Sequence, residues 1–461
     1  MTDEDESTDG SSSPYSDTSD ISSVDNSKPH QGDHKRSNLK KAVQVSKTIK
    51  ACHENSVLQI GVTQKLGAEA LVIRISTDRS VFAVGLTNGD IRVSIVSVHT
   101  HLTAIQLFRL CEESSHELVT RMKTNTETLP CTDIQFPAKE TKTFGLNRFL
   151  LLASYASGFI RLWHYTASYL KSSLICQWEE KSEGNTSIGM RKTNSNNQIL
   201  CLSISYDGRR FVSGGTDTHI RVYSLASTVE GRVLEPWINS IRTDTAAGHT
   251  ARITALAYHT RGKREKLYSH IFISAGWDNC IHIWNDQKAV SLWQYYGPHI
   301  AGSDGMDIDP VRNLILTCSW RFEHSMIQMW KFPEFVVDIS KEVDAQDREK
   351  YNYPVSQLSF VSHMRGSHGY VAQFDPTYQY VIFAGSNANV LCIVELASNT
   401  VIAELKDLEH GVYSASIYLD PNYRNRIRVI FTNGKSINLG RIGTQIANPA
   451  TKRLNTEYEH Q

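Results

Sequence analysis

One pattern, met seven times, constrains this chain more than anything else in it. An apolar run ends in small residues, a tight polar turn follows, and a second run closes on an aromatic or aliphatic residue. The copies read AVGLTNGDIRVSIV (83–96), ASYASGFIRLWHY (153–165), SGGTDTHIRVYSL (213–225), SAGWDNCIHIWND (274–286), TCSWRFEHSMIQMWKF (317–332), FAGSNANVLCIVEL (383–396) and FTNGKSINLGRI (431–442). Period-two alternation around a Gly, Asn or Asp turn is a hairpin signal. A further strand-like run precedes each copy: ALVIRIST (70–77), CTDIQFP (131–137), ILCLSISYDG (199–208), RITALAYHT (252–260), GMDIDP (305–310), GYVAQFDP (369–376) and VYSASIYLD (412–420). One such unit cannot bury its apolar face alone, so recurrence in order implies a stacked, all-β architecture.

Composition narrows the functions open to it. The 461 residues are 40% apolar, enough for a large core. Lys plus Arg and Asp plus Glu both number 48, so no basic field exists to hold nucleic acid, and none is expected as a partner. The eight cysteines are scattered without a CxxC. Cys201, Cys280, Cys318 and Cys392 lie in apolar strand-like runs, as buried reduced thiols of a cytoplasmic or nuclear protein do. No run of about 18 apolar residues suggests a membrane span, and the acidic start MTDEDESTDG is not a signal peptide.

Residues 1–50 differ from the rest. Met1 to Ser27 holds Asp, Glu, Ser and Thr but no Lys or Arg, and SKPHQGDHKRSNLKK then brings positive charge. Too few apolar residues are present to offset the entropy of ordering, so a disordered tail is expected. YSDTSD within it suits acid-directed kinases, and HKRSNLKK is a weak basic import-like patch. A second tail is expected over 446–461.

The repeated unit resembles the WD40 repeat family, over roughly residues 56–445. The resemblance implies a seven-bladed β-propeller in which each unit is a four-stranded blade and the blades close around a channel. The spacings here are long for that family, which points to polar insertions near 100–127, 172–197, 227–247 and 336–366. The last unit, 412–443, has no outer strand after it. SVLQIGVTQKL (56–66) is expected to supply one and fasten the chain ends, so that deleting 1–48 is tolerated and deleting 56–66 destabilises the ring.

In that family a well-formed blade carries a buried network: a His before the first strand, a Ser or Thr on the second, a turn Asp, and a Trp on the third. The fourth unit matches with His249, Ser274, Asp278 and Trp284, the Asp standing four residues after the Ser and six before the Trp. His249 is thereby expected to be structural and not a base or a metal ligand. The third unit keeps Ser213 and Asp217 but has Tyr223 for the Trp and no Gly-His; the second keeps Trp163 but has Ser157 at the Asp position. The first, sixth and seventh units are degenerate, with Asn88, Ala388 and Asn433 near that position, and the fifth has Trp330 and a longer turn.

No Walker loop, GxSxG, HExxH or kinase signature occurs. Phosphoinositide-binding propellers carry FRRG where this chain has RRF (209–211), and ubiquitin-ligase receptors carry WDxR where it has WNDQK (284–288). No catalytic residue, cofactor or metal site is therefore assigned. In the family the turn between second and third strands lies on the top face, where partners bind. Trp277, just before the turn Asp, and Trp320 with Arg321 in the next unit are expected there, with Arg252, His299 and Asp304 nearby. His299 has a second reading as the fifth blade's structural His. The expected function is a non-enzymatic scaffold that binds protein or peptide ligands on the top face, within a multi-subunit complex or alone. The alternative is a substrate-recruiting subunit of a ubiquitin-ligase or chromatin-modifying complex. A propeller enzyme is a third class, for which Asp304, Asp307 and Asp309 are too few.

Overall fold

The computed structural model describes residues 46–48, 56–95, 118–137, 149–165, 171–181, 196–226, 231–234, 248–321, 327–359, 366–420 and 426–444, apart from positions 78, 80, 289, 339 and 342. The tails expected over 1–50 and 446–461 lie outside them, except that Ser46–Thr48 form a short strand.

Seven sheets follow one another along the chain, each built on four antiparallel strands. Blade 1 spans 70–122, blade 2 spans 131–179, blade 3 spans 199–234, blade 4 spans 253–296, blade 5 spans 306–359, blade 6 spans 368–405 and blade 7 begins at 415. The first strands of successive blades are neighbours all the way round, the seventh against the first, so they line the axis of a closed ring. The chain is a seven-bladed β-propeller. Blade 7 takes its fourth strand from the other end of the sequence: Ser56–Lys65 pairs antiparallel with Ser436–Thr444, Leu58 opposite Ile442. Ser46–Thr48 adds a fifth, parallel strand to the outer edge of blade 5. No described helix is long and apolar enough to cross a membrane.

Position in the blade dictates composition. The second strands Val81–Leu86, Leu150–Tyr155 and Ile271–Gly276 are buried at every residue, because a neighbouring blade covers each face. The core accordingly lies between blades; Ile283 and Tyr295 of blade 4, for example, pack with Ile308, Ile315 and Trp330 of blade 5. The fourth strands are the rim and are half exposed, as in Ser172–Glu179. Their polar sequences explain one correction. The segments read as insertions contain the outer strands themselves: Leu118–Met122, Ser172–Glu179, Arg232–Leu234 and Ser356–Ser359, the last preceded by the helix Ala345–Lys350.

The first strands present an unpaired edge toward the channel, whose backbone groups need partners. Side chains from the preceding blade supply them. Asp133 Oδ2 accepts from the Leu202 N–H at 2.9 Å, Asp307 Oδ2 from Phe374 at 2.9 Å, Ser203 Oγ from Tyr258 at 2.9 Å and Ser414 Oγ from Ile73 at 2.9 Å. Burial pushes both the Asp133 and Asp307 carboxyls up to about 6, against the opposing pull of Arg74 on the first and of two backbone N–H groups on each. Arg74 of blade 1 reaches across this belt to Asp133 at 2.9 Å and to Asp304 at 2.6 Å.

Candidate functional site

The top-face sector of blades 4 to 6 starts from a backbone irregularity. In blade 4 the pairing of first and second strands slips between Ile253 and Ala255, a β-bulge. The Arg252 carbonyl then approaches Gly276 so closely that a Cβ there would lie 2.3 Å from it, and the Trp277 N–H donates to that carbonyl at 3.1 Å. Only glycine permits this, and it sets Arg252 beside Trp277. The Arg252 guanidinium lies over the Trp277 ring, 4.2 Å from its centre. Blade 6 repeats the device: a Cβ on Gly385 would lie 2.0 Å from the His368 carbonyl, which places His368 where Arg252 stands in blade 4.

Between the two bulges runs a chain of rings. Trp277 meets His299 at 5.4 Å, His299 meets Trp320 at 5.9 Å, and Trp320 stacks on His368 at 4.3 Å. The Trp320 indole N–H donates to the Tyr370 hydroxyl at 3.1 Å, and Tyr370 meets Tyr413 of the blade 6–7 connection edge-on at 4.9 Å. Trp277 is 42% exposed, Trp320 37% and Tyr413 38%, so large apolar area faces solvent along the arc. Arg252 and Arg321 are exposed at its flanks.

His299 holds the arc together rather than a blade network. Its Nδ1 donates to Asn279 Oδ1 in the blade 4 turn at 2.9 Å, and its carbonyl accepts from the Trp320 N–H at 2.8 Å. The Trp330 indole of blade 5 donates instead to Thr317 Oγ1 at 3.1 Å. Burial first, then the charge of Arg321, hold the His299 ring below its ordinary pKa. Asp304 requires a correction. It was expected beside His299 on the surface, but the 3-10 turn Ser303–Gly305 drops into the channel mouth. Its carboxylate is 1% exposed and accepts from Arg74, the Ser414 hydroxyl and the Ala415 N–H.

Directly beneath Trp277, the four residues of the blade 4 network are bonded in series. An indole N–H can only donate and a carboxylate can only accept, so with a singly protonated imidazole between them every direction follows. Trp284 Nε1 donates to Ser274 Oγ at 2.7 Å, Ser274 donates to His249 Nε2 at 2.6 Å, and His249 Nδ1 donates to Asp278 Oδ2 at 2.8 Å. Burial pushes the Asp278 carboxyl up, but His249 and the Thr250 and Cys280 N–H groups more than offset it and hold it below its ordinary value. His282 joins edge-on to His249 at 4.4 Å, and its Nε2 is buried without a partner. Burial, then His249, push His282 down to about 3, so it is neutral. Donor atoms of His249, Asp278 and His282 lie within 4.8 Å of one another; a cation among them would have to displace the proton that His249 shares with Asp278.

Two acidic residues that the sequence did not single out fill the His place in other blades. Glu127 stands four residues before the first strand of blade 2, as His249 does in blade 4, and accepts from Ser157 at 2.8 Å and from Arg161. In blade 3, Glu180 accepts from Ser213, from Tyr223 at 2.8 Å, from Asn197 at 2.7 Å and from Arg221 at 3.2 Å, while Arg221 also reaches Asp217 at 2.6 Å. The available signal was an Arg two residues before the third-strand aromatic, in both RLW and RVY. In the same way, His368 could have been found by aligning HGY with Arg252.

Compared with known protein families, residues 187–224 and 240–285 match the family described as WD domain, G-beta repeat, spans that cover the first three strands of blades 3 and 4. No curated protein matches the chain.

Proposed function

Because the chain belongs to the WD40-repeat family, whose propellers serve in general as protein-interaction scaffolds, we propose that it is a non-enzymatic adaptor holding a protein or peptide on the blade 4–6 sector of its top face. The observation that carries this reading is the arc Trp277–His299–Trp320–Tyr370–Tyr413. Three of its rings are more than a third exposed although buried positions abound next to them. Exposed tryptophan beside arginine is the composition of binding hot spots. The arc rests on closed blades through backbone bonds at Arg252, His299 and Ser319, so the rings are held before any partner arrives. Such pre-ordering favours affinity without a conformational change.

Affinity capture with the full chain and with a Trp277→Ala, Trp320→Ala double variant tests the reading. The double variant is expected to fold normally and to lose partners that the wild type retains, each truncated anchor weakening binding by about 2 kcal/mol. Identical partner sets from two folded proteins would overturn it.

A further inference from the structure

The charges around the arc specify the chemistry of what it binds. The Arg252 guanidinium sits over the Trp277 ring, 4.2 Å from its centre, on an exposed residue, so that its N–H donors are not used up by that contact. Arg252 has no ion pair among the described residues, and neither has Arg321 at the other flank. Some arginines elsewhere on the surface are matched with acids: Arg121 with Asp90, Arg261 with Glu265 and Glu334, Arg312 with Asp309; exposed Arg209, Arg264 and Arg348 have no ion pair among the described residues. The carboxylates described in the top-face loops between Arg252 and Arg321 both turn inward. The Asp278 side chain is 3% exposed and paired with His249; that of Asp304 is 1% exposed and paired with Arg74. The part of the sector on blades 4 and 5 is thus cationic at two flanks and apolar between them, whereas the exposed acids Asp407 and Glu409 lie at its far end, in the blade 6–7 connection.

We propose that this face binds an acidic peptide segment: carboxylates seat on the guanidinium N–H donors of Arg252 and Arg321, and an apolar or aromatic side chain lies between them against Trp277 and Trp320. The inference rests on the top-face reading and adds the partner's charge to it. A planar guanidinium held by an aromatic ring presents two parallel donors that match a carboxylate. A basic segment would meet two like charges, and a neutral one would leave both forks facing water.

Selection of a displayed library of random short peptides on the full chain tests this. Enriched peptides are then synthesised and titrated by fluorescence anisotropy against wild type, an Arg252→Gln, Arg321→Gln variant and a Trp277→Ala, Trp320→Ala variant, at low and high salt. The expected consensus sets Asp or Glu on both sides of an apolar residue. Affinity should fall about tenfold for each arginine removed, weaken as salt rises, and be lost without the two tryptophans. A basic or neutral consensus, no enrichment, or acidic peptides that bind the arginine variant unchanged would overturn the acidic assignment. Peptides that need the tryptophans but ignore the arginines would remove that assignment alone. Enriched peptides that bind the tryptophan variant undiminished would remove the top-face reading itself.

Discussion

Within one turn of blade 4, neighbouring residues carry opposite duties, and substitution separates them. Ser274 is the relay of the buried network, accepting from Trp284 and donating to His249. Ser274→Ala leaves an indole N–H and an imidazole nitrogen buried without partners, and is expected to lower stability by about 1–3 kcal/mol in chemical denaturation. Trp277→Ala in the same turn is expected to change it by no more than about 0.5 kcal/mol, because the network does not use that ring. His282 adds a pH dependence. Burial holds its pKa at about 3, so below the ordinary value of 6.5 the unfolded chain takes a proton that the folded one refuses. Stability falls as pH drops through that window, by up to about 1.4 kcal/mol per unit for one group. Asp133 and Asp307 act in the opposite sense. With folded values of about 6 they take up protons before the unfolded chain does, and stability rises as pH drops from there toward 3.8. In blade 5 the position matching His282 is Gln328, so His282→Gln suits the fold. Denaturation midpoints at pH 7 and pH 5 should show the variant losing about 2 kcal/mol less than wild type; parallel losses would mean that the folded chain protonates His282 freely.

At the scale of the blade, one architecture is secured by three different chemistries. Blade 4 uses His–Ser–Trp–Asp, blade 2 uses Glu127 with Arg161, and blade 3 uses Glu180 with Ser213, Tyr223 and Arg221. Burial pushes the Glu180 carboxyl up, with Arg221 and three hydrogen bonds opposing it. Breaking such a buried pair from one side strands the other charge. Glu180→Gln and Arg221→Met are each expected to destabilise by about 3–5 kcal/mol, and together by less than their sum. A strictly additive cycle in urea denaturation would show the two do not act as a pair. This diversity explains what was legible in the sequence. The second and third strands of seven units stood out because burial on both faces makes them apolar and a tight turn joins them. The outer strands did not, because the rim is half solvated and Ser172–Glu179 reads as a loop. Glu180 escaped notice because Arg221, its partner, lies 41 residues away. Asp304 was misplaced because nothing in GSDG distinguishes a surface loop from a turn that enters a channel. Trp277 was visible as the one bulky residue its blade does not require, whereas Tyr370 and Tyr413 join it only through the closure of the ring.

The whole molecule is held at its rim by strand pairing and at its axis by charge. At the rim, Ser56–Lys65 completes blade 7 and leaves it no unpaired edge on the third strand. At the axis, one guanidinium spans the channel. Arg74 of blade 1 touches Asp133 of blade 2, Ser303 and Asp304 ahead of blade 5, and Ser414 ahead of blade 7. Burial alone would lower the pKa of Arg74, but Asp304 and Asp133 raise it, so the cation persists. Removing it as Arg74→Met leaves two buried carboxylates facing each other's blades without a counter-ion. The expected loss near neutral pH is about 3–5 kcal/mol. The loss should also depend on pH in a definite direction. Burial raises Asp133 to about 6, and Arg74 is the largest influence opposing that rise. Without Arg74 the carboxyl moves higher still and is neutral at pH 5, so the charge-dependent part of the defect disappears there. Midpoints for wild type and variant should therefore converge between pH 7.5 and pH 5. A gap that stays constant across that range would mean that Arg74 stabilises the ring by packing its stem, and that the axis is not electrostatically tied.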